Sequence, residues 1–333
     1  MTHRRDFLAA GLAAGALFSS RAGAQESKPA GSEHWTTKRT PDGDVRLFIW
    51  RKRPAASNTA VSKGAILWVH GSSVQSVPVF DLQIPGKPEY SVMDWFSRLG
   101  YDNWCFDCEG YGKSDKKRPI NADVATGADD IAAVLDYMGR QGVPKAMLYG
   151  SSSGALRAGL YAQRQPERVA RLALDALTYT GEGSPTLADR RKNLPKYKAS
   201  NRRPIDRAMV RSIFTRDGHG EAADPVVVEA FADAVLALDN SMPTGTYVDM
   251  VEKLPLLDPL KLKVPTLIMR GQWDGIATYE DVANFFAKLP NPDKQLTIMP
   301  GAHTSMRSKN WERAYHVLDT FFSRPALAYT GTG

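Results

Sequence analysis

The segment Ala146-Met147-Leu148-Tyr149-Gly150-Ser151-Ser152-Ser153-Gly154 passes from a short apolar run through a Gly-Ser turn into residues with helical spacing, Gly154 to Gln163. A buried strand that turns sharply into a helix holds the residue at its apex in a strained conformation and pushes that side chain into a cleft. Ser152 occupies the apex, and Gly150 and Gly154, two positions either side, leave room for the turn. The N-terminus of the following helix favours negative charge developing there. A serine in this place reads as a nucleophile.

Strands and helices alternate on both sides of this turn. Val45 to Trp50 has period two, as in an outer antiparallel strand, whereas Ala65 to Val69 is continuously apolar, as in a strand buried on both faces. Further strands are predicted at Asn103–Asp107, Val169–Leu174, Thr266–Met269 and Gln295–Met299. Helices are predicted at Tyr90–Leu99, Ala122–Met138, Tyr279–Leu289 and Ser308–Phe322. Such alternation predicts an α/β chain with a mostly parallel sheet covered on both faces. The rhythm stops between Asp175 and Val264, where no buried strand is apparent, and the spacing predicts an inserted helical lid over 178–262. The core then comprises 35–177 and 263–325, with a disordered tail at 326–333.

A serine hydroxyl needs a base, and of the six histidines only His70 and His303 follow predicted strands. His303 lies between the last strand and the last helix and is the candidate general base. His219 reads as a solvated turn residue. Asp274, just after the strand ending at Met269, is the preferred acid to orient His303, and Asp175, after the strand ending at Leu174, is its rival. A tetrahedral intermediate needs two amide donors, expected from Ser153 and from Ser72 in the loop His70-Gly71-Ser72-Ser73. Gly71 lets that loop turn, and His70 is expected to brace it by hydrogen bonds.

Together, His70-Gly71, the run Asp107-Cys108-Glu109-Gly110-Tyr111-Gly112-Lys113-Ser114, the Gly150–Gly154 turn and the Asp274/His303 pair resemble a lid-bearing α/β-hydrolase over about residues 45–323. The order Ser152, Asp274, His303 is the order of that superfamily. The resemblance implies carboxylesterase-like chemistry: attack by Ser152 on an acyl carbon, an acyl-enzyme, and hydrolysis by water activated at His303. Serine-triad carbon–carbon bond hydrolases and perhydrolases share the architecture, and a non-catalytic binding protein on the same scaffold is a third reading. Glu109 departs from the pattern, since relatives often carry arginine or an apolar residue there.

Composition narrows the remainder. The 333 residues are 43% apolar and 24% charged, ordinary for a globular protein, and two cysteines exclude a disulfide scaffold. Cys105 and Cys108 are expected as structural thiols, with a strained disulfide as the alternative. Residues 1–24 combine Arg4-Arg5, an apolar run from Phe7 to Phe18 and the small-residue site Ala22-Gly23-Ala24. That run is too short to span a bilayer and resembles a twin-arginine export signal, implying a periplasmic or secreted protein without membrane insertion. Residues 25–34 are expected as a disordered leader.

The net charge is +7, and basic residues crowd Arg190 to Arg216. They read as a solvated helical face or as an attractor of anionic ester substrates. No nucleic-acid motif accompanies them. Gly112-Lys113-Ser114 lacks the leading glycine of a phosphate loop, and neither dinucleotide nor zinc spacing occurs, so no cofactor and no metal are expected.

Overall fold

A computed structural model describes residues 29–54, 63–303 and 305–330. The export signal expected over 1–24 lies outside the described residues. Among the described residues there are ten strands: β1 Gly31–Thr40, β2 Gly43–Lys52, β3 Ala65–Val69, β4 Asp102–Phe106, β5 Ala146–Ser151, β6 Val169–Asp175, β7 Arg202–Pro204, β8 Ser241–Pro243, β9 Thr266–Gly271 and β10 Lys294–Met299. The helices are α1 Ser76–Phe80, α2 Val92–Arg98, α3 Val124–Arg140, α4 Ser153–Arg164, α5 Pro185–Lys192, α6 Leu194–Ala199, α7 Arg207–Thr215, α8 Pro225–Leu236, α9 Gly245–Glu252, α10 Tyr279–Lys288 and α11 Trp311–Ser323.

Eight strands form one sheet in the order β1-β2-β4-β3-β5-β6-β9-β10. β2 is antiparallel to both its neighbours, and from β4 to β10 every pairing is parallel. Parallel strands buried on both faces need apolar side chains on both, and Ala65–Val69 is buried throughout. α3 shows the local logic on a covering helix. The Asp123 carboxylate accepts from the Thr126 N–H at 2.8 Å and caps its start, while Val124, Ile131, Val134, Leu135 and Met138 turn inward.

The parallel run aligns six carboxyl ends along one edge. In register, Gly150 pairs with Leu174 and Val69, and Gly271 with Met299. The turns carrying Ser72, Asp107, Ser152, Asp175, Asp274 and His303 therefore emerge on the same side of the sheet. Open α/β sheets bind ligands at this edge.

Three expectations are corrected. Residues 31–34, read as the end of a disordered leader, begin β1. The inward positions of β1 include Thr36 and Lys38, so apolar alternation is missing. Lys38 is buried there because Asp130 and Glu109 pair with its ammonium at 2.5 and 2.8 Å. Second, the insertion between β6 and β9 is not purely helical. β7 and β8 pair as an antiparallel ribbon, and Met242 and Pro243 are buried. Three-residue strands are too short to reveal a period. Third, His219 is not a freely solvated turn residue: its ring stacks on Trp273 at 4.1 Å.

Residues 326–330 carry no regular element, and 331–333 lie outside the described residues. Among the described residues, no helix is long and apolar enough to cross a membrane, and no group of three or more His, Cys, Asp or Glu could hold a metal ion.

Candidate active site

Ser152 sits between β5 and α4 with φ 57° and ψ −124°, a left-handed conformation rare for a residue with a side chain. Its N–H donates to the Asp175 carbonyl at 2.8 Å, tying the turn to the adjacent strand end. Gly150 and Gly154 are required by close backbone approach. A Cβ at Gly150 would overlap the Gly154 carbonyl, and one at Gly154 would overlap the Val69 carbonyl. The main chain of this turn thus packs directly on the end of β3.

The loop after β3 closes over the same turn. Gly71 is near enough that a Cβ there would touch Ser152 Cβ. His70 is fully buried, and its Nε2 accepts from the Cys108 N–H at 3.0 Å. Its Nδ1 therefore carries the proton and donates to the Gly71 carbonyl at 2.8 Å. Burial and the nearby Arg157 charge push the His70 pKa down to about 3, keeping the ring neutral. Its neighbours are thus those of a brace and not of a base. The Ser72 hydroxyl donates to Ser153 Oγ at 2.8 Å, joining the two residues from which amide donors are expected. Ser153 opens α4, where first-turn amides have no acceptor within the helix.

His303 and Asp274 meet at this edge. His303 Nδ1 lies 3.1 and 3.0 Å from the two Asp274 carboxylate oxygens. Asp274 also accepts from the Ile276 N–H at 2.9 Å. Burial opposes ionisation of this carboxyl, but the imidazole and the Ile276 N–H hold it below the usual carboxylate range. Arg270, on β9, clasps the turn by donating to the carbonyls of Ala277, Gln272 and Asp274. Its role is invisible in sequence because it depends on the path of the turn.

The rival acid has a different partner. Asp175 accepts from the Tyr149 hydroxyl at 2.6 Å. Burial pushes its carboxyl up to about 7, and the Asp274 charge adds to the rise while Tyr149 and Arg307 oppose it. The folded state thus holds this proton more tightly than the unfolded chain does. The associated stability is complete below about pH 4 and is lost as pH rises through about 7. Urea unfolding of Asp175→Asn is expected to show a stability difference between pH 5 and pH 8 that is flatter than wild type by about 2–3 kcal/mol, at about 1.4 kcal/mol per pH unit. A wild-type slope retained in the variant would overturn this.

Ser152 and His303 line one cavity of about 40 Å³ with Ser72, Ser73 and three arginines, Arg190, Arg216 and Arg307. A far larger groove, about 950 Å³, runs between β1 and α3 and shares none of these residues, so size alone does not mark the site. Tyr247, on α9, bonds Ser73 Oγ at 3.0 Å, and Arg203 reaches the same oxygen at 2.5 Å. Burial opposes ionisation of Tyr247, but Arg190, Arg203 and the Ser73 bond lower its phenol to about 7. These insertion residues pin the loop beside Ser72, a tie that only the fold creates.

Glu109 is buried and turned away from the cavity, bonded to Lys38 and to Arg118. Cys105 and Cys108 are free, buried thiols, and burial pushes Cys108 up to about 12. Asp107 instead organises the loop after β4, accepting from the Ser76 and Lys113 amides.

The sheet order and the strained serine at the end of its middle strand define an α/β-hydrolase. The chain belongs to the serine aminopeptidase S33 family, whose model matches residues 88–307. It is 30% identical over 122 residues to 2-hydroxy-6-oxononadienedioate/2-hydroxy-6-oxononatrienedioate hydrolase of Burkholderia vietnamiensis, covering 35% of this chain and 38% of that protein. The protein of the same name from Paraburkholderia phymatum is 31% identical over 128 residues, with the same coverage. The chain thus spans well under half the length of the curated relatives it matches.

Among solved structures, an esterase from Thermogutta terrifontis superposes with TM-score 0.61 at 18% identity, covering 87% of this chain and 97% of that one. An esterase from Exiguobacterium antarcticum gives 0.62 at 18%, covering 87% and 100%. The enol-lactonase from Burkholderia xenovorans gives 0.59 at 15%, covering 86% and 100%. At these identities the likeness speaks to the fold alone.

Proposed function

We propose that this protein is a serine hydrolase that cleaves a carboxylic ester of a small molecule through an acyl-enzyme on Ser152. The observation that carries the reading is His303, bonded to Asp274, lining the same cavity as a serine held at positive φ. Asp274 fixes the proton on His303 Nδ1 and leaves Nε2 as the base. Ser152 Oγ attacks the ester carbonyl carbon and passes its proton to Nε2. The carbonyl oxygen becomes an oxyanion facing the Ser72 and Ser153 amides. Collapse breaks the bond to the alkoxide, which takes the proton from His303. Water then gives a proton to His303, attacks the acyl carbon and releases the acid, while Ser152 recovers its proton. The sum is ester plus water giving acid plus alcohol.

Carbon–carbon bond hydrolysis is the second reading, favoured by the partial match to the two oxononadienedioate hydrolases. The same base and amide donors would serve an activated ketone. Export by the twin-arginine route is the location proposed for the chain, resting on Arg4-Arg5 and the apolar run that follows.

Incubation with a fluorophosphonate probe is expected to give one covalent adduct, mapped to Ser152 by peptide mass analysis. An unlabelled Ser152 in folded protein would sink the catalytic reading and favour a binding protein. Product analysis separates the two chemistries: ester cleavage yields acid and alcohol, dione cleavage two carbonyl fragments.

A further inference from the structure

We propose that Arg190, Arg216 and Arg307 form a carboxylate-binding site beside Ser152, so that the substrate carries a free carboxylate within a few carbons of the bond that is broken. This rests on the hydrolase reading and names its substrate class. The three arginines line the cavity shared by Ser152 and His303. They come from separate places: Arg190 from α5, Arg216 from the end of α7, and Arg307 from the turn after His303.

Each has unused hydrogen-bonding capacity. Arg190 is 8% exposed, and its buried Nη1 has no hydrogen-bond partner. Its guanidinium faces the Tyr247 ring at 4.0 Å. Arg307 is 7% exposed and faces the Phe231 ring at 4.8 Å; among the described residues its guanidinium donates only to the Val79 carbonyl, at 3.4 Å, and its Nε has no hydrogen-bond partner. Arg216 Nε lies 3.8 Å from the Asp217 carboxylate, and neither its Nε nor its Nη2 makes a hydrogen bond. Asp217 is the counter-ion of Arg216, and the other anionic groups nearby are engaged elsewhere. Asp274 is bonded to His303, Asp175 to Tyr149, and the Tyr247 hydroxyl to Ser73.

Surface cations of the same insertion behave differently. Arg207 and Arg211 pair with Glu229 and Asp233, and Lys198 pairs with Glu252. Arg190 and Arg307, by contrast, are buried in the cleft with no salt bridge among the described residues. Burying unpaired charge is costly, and such groups persist where a ligand completes them. Arginine's planar fork matches a carboxylate. The three arginines share one small cavity with Ser152, so the anionic group sits close to the reacting carbon.

The test compares kcat/KM for the mono-p-nitrophenyl ester of glutaric acid with its methyl-capped diester. Wild type is expected to prefer the anionic ester, and Arg190→Gln and Arg307→Gln each to lower the preference ratio by about 30-fold or more, as for loss of a charge-assisted contact. Arg191→Gln, an exposed neighbour on α5, should leave the ratio unchanged. A wild-type ratio at or below one, or ratios unaltered in both cavity variants, overturns the proposal. As a second readout, glutarate itself is expected to raise the Tm of wild type but not of either folded cavity variant. If neither ester is cleaved and the fluorophosphonate leaves Ser152 unlabelled, the hydrolase reading fails by itself. The glutarate shift then decides the anion site: its presence in wild type and loss in the variants support the site, and its absence overturns it.

Discussion

Ser152→Ala is expected to lower kcat for a p-nitrophenyl ester by about 10⁴-fold or more, because removing the nucleophile of a triad removes nearly all the chemistry at once. Two neighbouring hydroxyls are engaged elsewhere. Ser153 Oγ receives the Ser72 hydroxyl, and Ser73 Oγ is held by Tyr247 and Arg203. The positive φ at Ser152 belongs to the backbone turn, whose tight contacts run through Gly150 and Gly154. Alanine meets the same strain as serine, so the Tm should stay within about 3 °C of wild type. Parallel kinetics and thermal melts check both halves. Activity within tenfold of wild type in a folded variant would remove Ser152 from the mechanism.

The second large effect separates the two aspartates. Asp274→Asn should reduce kcat by about 10³–10⁴-fold, because an amide in place of the carboxylate no longer fixes the imidazole proton on Nδ1 or balances the imidazolium. Asp175→Asn should stay within about tenfold, since its carboxyl faces Tyr149 and not His303. Steady-state kinetics of the two variants side by side is the measurement. A larger loss from Asp175→Asn would reverse the assignment and make the observed His303–Asp274 contact incidental to turnover.

How much of this was legible beforehand can be followed through particular residues. The central strands were readable because strands buried on both faces leave unbroken apolar runs, as in Ala65–Val69. The Ser152 turn was readable because only glycine fits where Gly150 and Gly154 meet neighbouring backbone. β1 was not, since its inward lysine looks solvent-facing until Asp130 and Glu109 are brought beside it. Glu109 looked anomalous near the site for the same reason, and the fold turns it toward Lys38 and Arg118. Arg307 is not legible in sequence, because nothing local distinguishes an arginine that lines a cleft from one in water.

The amino-acid order by itself determined the α/β alternation, the strained serine turn and the short set of candidate partners, because backbone sterics and burial periodicity act over neighbouring residues. Only the tertiary structure placed Asp274 and not Asp175 against His303, gave His70 a bracing position, and buried Arg190 and Arg307 in the cleft. Those outcomes depend on distances between residues tens to hundreds of positions apart. Hydrogen bonds and charge interactions reach only a few ångströms, so chain order cannot specify them until the sheet has brought the ends of its strands to one edge.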